Sequence, residues 1–288
     1  MTTAAMAARP LGRPRALHVV SSDPLEPVWA WCEWLRAAGA PETTIGLRRY
    51  YVTRLWQSFP DLLGVGVDDL ARWMGSAQWS ANTKKSARSS LRSFYAWAKA
   101  TGRIEVSPAA LLPAVRIPRS APRPTPERAF SEAVTVAEPR ARLAIMLAGF
   151  CGLRRGEIAR VHTDDVVEDG DGFSLRVVGK GGHLRYVPLP PLLAGELHTT
   201  TPGYAFPSPR GGHLTPHHLA KIVTRHLPAG VSTHTLRHRC ATVAYAGTRD
   251  LRAVQELLGH SRPETTAGYA YVPQNAVRAA MQAAAQYA

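Results

Sequence analysis

HTLRH at residues 234–238 is followed by LLGH at 257–260 and by TTAGY at 265–269, so histidines, an arginine and a tyrosine fall close together. Upstream, GLRRGE at 152–157 adds a second arginine, Arg154. Two guanidinium groups can clamp a phosphodiester, histidines can hydrogen-bond it, and a tyrosine oxygen can attack it. This chemistry needs neither a metal ion nor a nucleotide, and we predict no cofactor.

The HTLRH segment predicts the start of a helix, capped by Thr233, that runs from His234 to Ala246 and stops at Gly247. Three- and four-residue spacing would place His234, Arg237 and His238 on one face of that helix. Polar side chains at a helix start can reach an anion near the positive end of the helix dipole. Thr248 is predicted to cap a further helix, which ends at Leu258 before Gly259.

Upstream patterns complete the second half of the chain. An apolar helix is predicted from Arg140 to Phe150, stopped by Gly152, and a short helix is predicted through Glu157. Strands are predicted at Phe173–Val178 and Leu184–Leu189, joined by a glycine-rich hairpin. The predicted fold class is mainly α with a small antiparallel β-sheet.

The first half differs in composition, because all seven tryptophans fall within residues 29–97. We interpret them as core anchors of a small helical domain; platforms for base stacking are the alternative. The predicted organisation is a flexible tail at 1–22, a helical domain at 23–112, a proline-rich linker at 113–126 and a second domain at 127–288.

One helix of the first half carries an unusual charge pattern. Asn82 or Thr83 is predicted to open it, and it is predicted to end near Gly102. Its basic side chains lie opposite an apolar stripe, and no acid occurs from residue 84 to residue 103. A face that binds a phosphate backbone and a merely solvated face are both compatible with this pattern. The candidate DNA-binding residues are Lys84, Lys85, Arg88 and Arg92.

Composition narrows the partners and the compartment. The net charge of +14 favours a polyanionic partner, most commonly nucleic acid. Three scattered cysteines fit a reducing cytoplasm better than a disulfide framework. No apolar run reaches the roughly 20 residues of a membrane span, and the N-terminus lacks a secretory signal pattern. We therefore expect a cytoplasmic protein with no membrane partner.

Four motifs, in this order along the chain, carry a resemblance: GLRRGE, GKGGHLRYVPL, HTLRHRCAT and LLGHSRPETTAGYAYV. The set resembles the signature of the tyrosine recombinases, the phage-integrase and Xer-like family, over most of residues 127–272. Residues 23–112 more weakly resemble that family's helical core-binding domain, chiefly through SSLRSFYAWAKATGRIEVSPA. The resemblance implies a two-domain clamp on double-stranded DNA, with a C-terminal mixed α/β catalytic domain.

The resemblance also implies roles for single residues. Arg154 and Arg237 would hold the scissile phosphate, and His234 and His260 would hydrogen-bond it and assist proton movement. Lys180 would act as general acid, and Tyr269 would attack to form a 3′-phosphotyrosine. Glu157 and His238 would support the site from behind. Strand exchange would proceed in a homotetramer through a Holliday junction, with an accessory directionality factor as a candidate partner.

The sequence departs from the family pattern in places. Tyr271 lies two residues after Tyr269 and provides a second phenol, although the spacing from His260 favours Tyr269. His183 occupies a position where many relatives carry a second basic residue, so Arg185 is a reserve candidate for the acid. The N-terminal tail is too short for an additional arm-site DNA-binding domain, so short core sites are expected to suffice.

Several functions fit these patterns. We predict a site-specific DNA recombinase acting in phage or prophage integration and excision, because the N-terminal half is atypical and the composition is GC-rich. The alternatives are an Xer-type resolvase of chromosome or plasmid dimers, a type IB-like topoisomerase and a noncatalytic DNA-binding protein. His213, His217 and His218 match no zinc spacing, and Asp164 and Asp165 are better interpreted as loop acids. We predict no metal site.

Overall fold

The computed structural model describes residues 23–118, 123–179, 182–259 and 281–282. The chain divides into two compact units between Arg119 and Ser120, and each has its own core. The described residues are mainly helical and include one three-stranded antiparallel sheet. The predicted fold class is therefore confirmed. Among these residues, no helix combines the length and the apolar character needed to cross a bilayer.

Unit 1 is helical in its described part. Its elements are α1 (Glu26–Ala37), α2 (Glu42–Trp56), α3 (Val67–Ser76), α4 (Ala81–Ala100) and a 3₁₀ turn at Pro108–Leu111. Aromatic side chains dominate its core, where Trp31 packs edge-on against Phe94 with ring centroids 5.4 Å apart. Trp31 and Trp97 are buried, as core anchors should be, whereas Trp29 and Trp34 are exposed on α1.

The start of α4 differs from the prediction. Ser80, and not Asn82 or Thr83, is the capping residue, because its hydroxyl accepts a hydrogen bond from the Thr83 backbone N–H at 3.1 Å. A side-chain cap bonds the N–H two or three residues later, so the first helical residue lies further upstream than the basic run suggests. The end of α4 agrees with the prediction, since Gly102 has a φ of 72° just after it.

Unit 2 is built around one buried helix. Its helices are α5 (Glu127–Val136), α6 (Pro139–Gly149), α7 (Arg155–Ile158), α8 (Pro191–His198), α9 (Pro216–Thr224), α10 (Thr233–Thr248) and α11 (Leu251–Leu258). Nearly every residue of α6 from Ala141 onward is buried, and helices α5 and α7–α10 contact it. A helix that is apolar on all sides is stable only inside a core.

The sheet lies against this core in the order β1 (Val166–Asp169), β2 (Gly172–Val178), β3 (Leu184–Leu189). Leu175 pairs with Val187, and Val177 pairs with Arg185 in the antiparallel register. Side chains alternate between the two faces of a strand, so Arg185, Val187 and Leu189 share the inward face of β3. β1 was not predicted, because its short sequence VVED has only two apolar residues.

The predicted boundary between α10 and α11 was wrong. Gly247 lies inside α10, and the helix ends at Arg249, which adopts the left-handed conformation with a φ of 56°. Asp250 caps α11, not Thr248, since its carboxylate accepts the backbone N–H groups of Arg252 and Ala253 at 2.8 and 3.0 Å. Gly259 ends α11 as predicted, with a φ of 63°.

Gly152 was also predicted to stop a helix, and it lies just after α6 and its capping residue Phe150. Its φ is 63°, and a Cβ atom there would lie 2.6 Å from Leu258 Cδ2 and 3.1 Å from Cys240 Sγ. Glycine is therefore required at this position both for its backbone conformation and for the close approach of α10 and α11.

Gly152 and Gly247 should respond to alanine in opposite directions. Gly152→Ala should lower the free energy of unfolding by about 2 kcal/mol or more, through the left-handed backbone and the overlap with Leu258. Gly247→Ala should raise it by roughly 0.5–1 kcal/mol, because Gly247 is helical and an added methyl group would meet only open space. Urea unfolding of both variants measures the difference; equal effects would refute the assigned backbone conformations.

Candidate active site

Arg154 and Glu157 form the first part of the site, at the start of α7. Arg154 precedes the helix with an extended backbone, and its N–H donates to Glu157 Oε2 at 2.9 Å. The Arg154 guanidinium also donates to Glu157 Oε1 at 2.8 Å. The same carboxylate thus fixes both the backbone and the side chain of Arg154, whose side chain is 37% exposed.

Arg185 reaches the same carboxylate from β3. Its Nη1 and Nη2 atoms donate to Glu157 Oε1 and Oε2 at 3.1 and 2.8 Å, in a bidentate pair. Its Nε donates to the Leu257 carbonyl at 3.3 Å. The Arg185 side chain is only 12% exposed, so it is part of the wall of the site and not a free proton donor.

Glu157 is ionised although it is buried. Burial by itself would raise the pKa of this carboxyl group, but the hydrogen bonds from Arg185 and from the Arg154 backbone, the charge of Arg185 and the hydrogen bond from the Arg154 side chain lower it to about 2. The side chain is 3% exposed. An ionised carboxylate in such a place is stable only while its partners remain in position.

Arg237 joins the cluster from α10. It is 3% exposed, its Nη1 donates to the Gly152 carbonyl, and its Nη2 donates to the Leu258 carbonyl at 2.7 Å. Arg154 Nη2 donates to the next carbonyl, that of Gly259, at 3.3 Å. Two arginines 83 residues apart in sequence therefore converge on adjacent peptide groups at the end of α11.

With Arg185 on the Leu257 carbonyl, three consecutive carbonyls each accept a hydrogen bond from a different arginine. The last carbonyls of a helix lack intrahelical partners and form the negative end of its dipole, which cations stabilise. We call Arg154, Glu157, Arg185 and Arg237 the arginine cluster. It joins three guanidinium groups to one carboxylate, and so it carries an excess of positive charge.

His234 and His238 lie beside the cluster on α10. Their Nε2 atoms are 3.0 Å apart, and their rings meet edge-on with centroids 4.3 Å apart. The four-residue spacing therefore places both on one face, as predicted. His234 is exposed, whereas His238 is partly buried behind it.

Both imidazoles have lowered pKa values. Burial lowers the pKa of His238 to about 4, with further contributions from His234 and Arg237. Burial also lowers the pKa of His234, followed by the charges of Arg237, Arg154 and Arg155. Both rings are therefore neutral at neutral pH, and each can accept a proton.

The structure brings together five of the predicted site residues: Arg154, Glu157, His234, Arg237 and His238. Lys180, His260, Tyr269 and Tyr271 lie outside the described residues. Lys84, Lys85, Arg88 and Arg92 belong to unit 1, where Lys85 and Arg92 are exposed. Arg88 is partly buried and donates to the Leu112 carbonyl at 3.1 and 2.7 Å, and Arg92 donates to the Ala110 carbonyl at 3.3 Å.

Sequence reasoning missed two supporting arginines. Arg185 was considered only as a reserve acid, although the alternation of β3 places it on the buried face with Val187 and Leu189. Arg239 was not singled out. It is 7% exposed, binds both oxygens of Glu127 at 2.9 and 2.6 Å, and lies over the Phe130 ring at 3.8 Å. It thereby fastens α10 to α5.

A second clip fastens the start of α10. Thr125, which is 3% exposed, donates its backbone N–H to the Thr235 carbonyl at 3.1 Å and its hydroxyl to the Thr235 hydroxyl at 2.9 Å. Thr235 Oγ1 in turn accepts the backbone N–H of Ser232 at 2.9 Å. The residue that precedes Thr235 is His234, so these bonds hold the turn that carries it.

A cavity of about 360 Å³ beside β2 adjoins the arginine cluster, since Glu157 lines it together with other polar groups. Asp165 binds Arg176 there at 2.8 Å, and His162 and His213 flank the Tyr204 ring. Within the described ranges, no three or more His, Cys, Asp or Glu side chains are grouped so that they could hold a metal ion.

Comparison with known proteins identifies the family. Residues 127–275 match the phage integrase family. The tyrosine recombinase XerC of Corynebacterium efficiens is 30% identical over 275 residues, which cover 87% of this chain and 88% of the relative. XerC of Myxococcus xanthus is 34% identical over 209 residues, covering 64% and 69% of the two chains.

Solved structures agree in fold. A lambda integrase dimer bound to a COC′ core site superposes with a TM-score of 0.69 at 20% identity, covering 84% of this chain and 75% of that one. XerH recombinase in a post-cleavage complex with palindromic difH gives a TM-score of 0.66 at 22% identity, covering 86% and 82%. With the family match over half of the sequence and an XerC relative matched along most of its length, the predicted resemblance is confirmed: the chain belongs to the phage integrase family of tyrosine recombinases, enzymes that transfer DNA strands.

Proposed function

We propose that the protein is a site-specific recombinase that cleaves double-stranded DNA through Tyr269. The phenol oxygen attacks the scissile phosphorus, and the bond from phosphorus to the 5′ oxygen breaks, leaving a 3′-phosphotyrosine. Lys180 gives a proton to the departing 5′ oxygen, and a neutral histidine takes the proton of the phenol. The 5′ hydroxyl of a partner strand then attacks the phosphotyrosine and releases Tyr269, so the reaction needs no nucleotide and no metal ion.

The observation that carries the proposal is the convergence of Arg154 and Arg237 on the carbonyls of Leu258 and Gly259. These are the residues just before His260, so both guanidinium groups lie where the segment with His260 and Tyr269 begins. Guanidinium groups neutralise charge that develops on nonbridging phosphate oxygens during displacement. Each guanidinium has five N–H donors, and so it can bind a carbonyl and a phosphate together.

The protonation states of the histidines fit the same reaction. His234 is exposed and neutral, and it lies close enough to Arg154 and Arg237 for their charges to lower its pKa. A phosphate anion bound to those arginines would offset their charge, raising the pKa of His234 and favouring its acceptance of a proton. We propose that His260 hydrogen-bonds the same phosphate.

The DNA partner follows from charge as well as from family. The net charge of +14 includes the exposed Lys85 and Arg92 on α4, which we propose contact the DNA backbone together with Lys84 and Arg88. Arg88 would contribute less, since its guanidinium is already bound to the Leu112 carbonyl. By analogy with relatives solved as a DNA-bound dimer and as a tetramer on a Holliday junction, we propose that strand exchange occurs in a homotetramer.

The biological role is proposed on the relatives. The two XerC proteins, one of them matched over 88% of its length, favour an Xer-type role in resolving chromosome or plasmid dimers. Integration and excision of phage DNA, predicted from the sequence, is the second candidate. Action in the cytoplasm and an accessory directionality factor stay predictions.

Trapping with a nicked suicide substrate tests the chemistry. The substrates are genomic fragments that carry a nick near the cleaved bond. Cleavage there releases a short strand with a 5′ hydroxyl, which diffuses away. The phosphotyrosine cannot then be resealed, so a covalent protein–DNA complex accumulates. Wild type should form the complex and Tyr269→Phe should not, whereas Tyr271→Phe should retain it. Mass spectrometry of the trapped peptide identifies the linked residue; attachment at Tyr271, or no covalent complex with wild type, would refute the proposal.

Arg154 and its neighbour Arg155 form a matched pair for the phosphate clamp. Arg154→Gln should slow single-turnover cleavage at saturating DNA by roughly 10²–10³-fold, as loss of one preorganised donor to the transition state does. Arg155→Gln removes the same charge from the exposed next residue and should stay within about 3-fold of wild type. Equal losses in both variants would mean that general positive charge, and not the position of Arg154, supports cleavage.

The trapped DNA also distinguishes the two roles. A captured chromosomal site with two unlike half-sites, on which this protein alone exchanges only one strand pair to give a Holliday junction, supports the Xer-type role. Conversion of one phage-derived and one bacterial site into two hybrid sites supports integration instead. Nicking and resealing without junctions would identify a topoisomerase.

A further inference from the structure

We propose that Arg185 is a positioning residue for DNA cleavage, which holds Glu157 and the end of α11 in place so that Arg154 and the segment after Gly259 meet the same phosphate. This inference rests on the proposed function. Arg185 is distinct from the residues that would touch DNA, since its side chain is 12% exposed and faces the core side of β3.

The contacts of Arg185 join three parts of unit 2. Two of its nitrogens bind Glu157 on α7, and the third binds the Leu257 carbonyl on α11. The fit is close, because a Cβ at Gly259 would lie 2.8–3.0 Å from the Arg185 side chain. Gly179, the residue before Lys180, is also near, since a Cβ there would lie 3.4 Å from Arg185 Nη1. Arg185 therefore lies beside Gly179 and Gly259, the residues that precede Lys180 and His260.

Its charge has a separate effect on Arg154. Glu157 holds Arg154 only as a carboxylate, and burial opposes ionisation of that group. Among the described residues, the charged groups that bind Glu157 are Arg154 and Arg185. The other charged and titratable groups of the described part that line the adjacent cavity are Arg160, His162, Asp164, Asp165, Arg176, Tyr204 and His213. Without Arg185, burial would be opposed mainly by Arg154, so the pKa of Glu157 would rise.

The test compares Arg185→Gln with Arg176→Gln, which removes an arginine of β2 that pairs with Asp165 across the cavity. Single-turnover cleavage of trapped-site DNA, DNA affinity and the pH profile are measured for each. Arg185→Gln should slow cleavage by roughly 10–100-fold, as displaced catalytic geometry does, with DNA affinity within about 3-fold of wild type. Arg176→Gln should match wild type in all three.

The pH profile separates positioning from general loss of structure. In wild type, Glu157 stays ionised down to about pH 2. In Arg185→Gln its pKa is raised, so the carboxylate is lost at a higher pH and the acid limb of the cleavage profile should move upward. The double variant Glu157→Gln/Arg185→Gln has no carboxyl group to titrate and should return the limb to its wild-type position, even though cleavage stays slow.

A second variant guards against misfolding. Arg185→Lys keeps the charge but cannot make two bonds to Glu157 and one to Leu257, so it should restore the pH profile without restoring the rate. Hydrogen exchange of the free protein gives an assay independent of DNA: amides in the last turn of α11 should exchange faster in both Arg185 variants than in Arg176→Gln.

The outcomes are distinguishable. The positioning role would be overturned if Arg185→Gln kept the wild-type cleavage rate, the wild-type acid limb of the pH profile and the wild-type hydrogen exchange of α11. A loss confined to DNA affinity would also overturn it. A wild-type protein that never becomes linked to DNA would instead overturn the proposed function, and the exchange measurement would still decide whether Arg185 anchors α11.

Discussion

A buried carboxylate between two arginines is the interaction on which this site depends. Glu157 accepts hydrogen bonds from the Arg154 backbone, the Arg154 side chain and both terminal nitrogens of Arg185. Removing a carboxylate of this kind from water costs several kcal/mol, which only well-placed partners offset. This cost constrains the position of α7 relative to β3, because any displacement between them would leave a charge buried without its partner. Arg154, the proposed phosphate ligand, is thus held by a buried carboxylate that is itself 3% exposed.

The end of α11 extends this logic to the second arginine. A helix that ends inside a protein must satisfy its last carbonyls, and here Arg185, Arg237 and Arg154 serve Leu257, Leu258 and Gly259 in turn. Two of these groups, Arg154 and Arg237, are the proposed phosphate ligands, and they also hold the end of α11. The phosphate site and the end of α11 therefore cannot move independently of each other. The carbonyl of Gly152, which lies just after α6, also accepts a hydrogen bond from Arg237 and so connects α6 to them.

The sequence predicted those parts of the site whose spacing is local. Helical periodicity was enough to place His234 and His238 together. Gly152 and Gly259 were predicted as helix stops, and both adopt the left-handed backbone conformation that favours glycine. Gly247 shows the limit: a glycine can stop a helix but need not, and here Arg249 adopts the terminal conformation instead. Arg185 was considered only as a reserve acid, although strand alternation places it on the inward face with Val187 and Leu189. Its partner Glu157 lies 28 residues away, a pairing that only the tertiary fold establishes.

Electrostatics in the free protein also prepare the site for an anion. The arginine cluster has more positive than negative groups. Burial lowers the pKa of His234 and His238, the charges of neighbouring arginines lower it further, and both rings are neutral. An incoming phosphate would offset these charges, so that binding of the substrate and readiness of the histidines to take up a proton are linked by one set of charges. Burial is the largest cause of the lowered pKa in both histidines, but the charges of Arg237, Arg154 and Arg155 all add to it at His234, whereas His238 is affected by His234 and Arg237. Phosphate binding should therefore change the pKa of His234 more than that of His238. The proton acceptor would thus become more basic when the phosphate is in place, at the step in which the phenol gives up its proton.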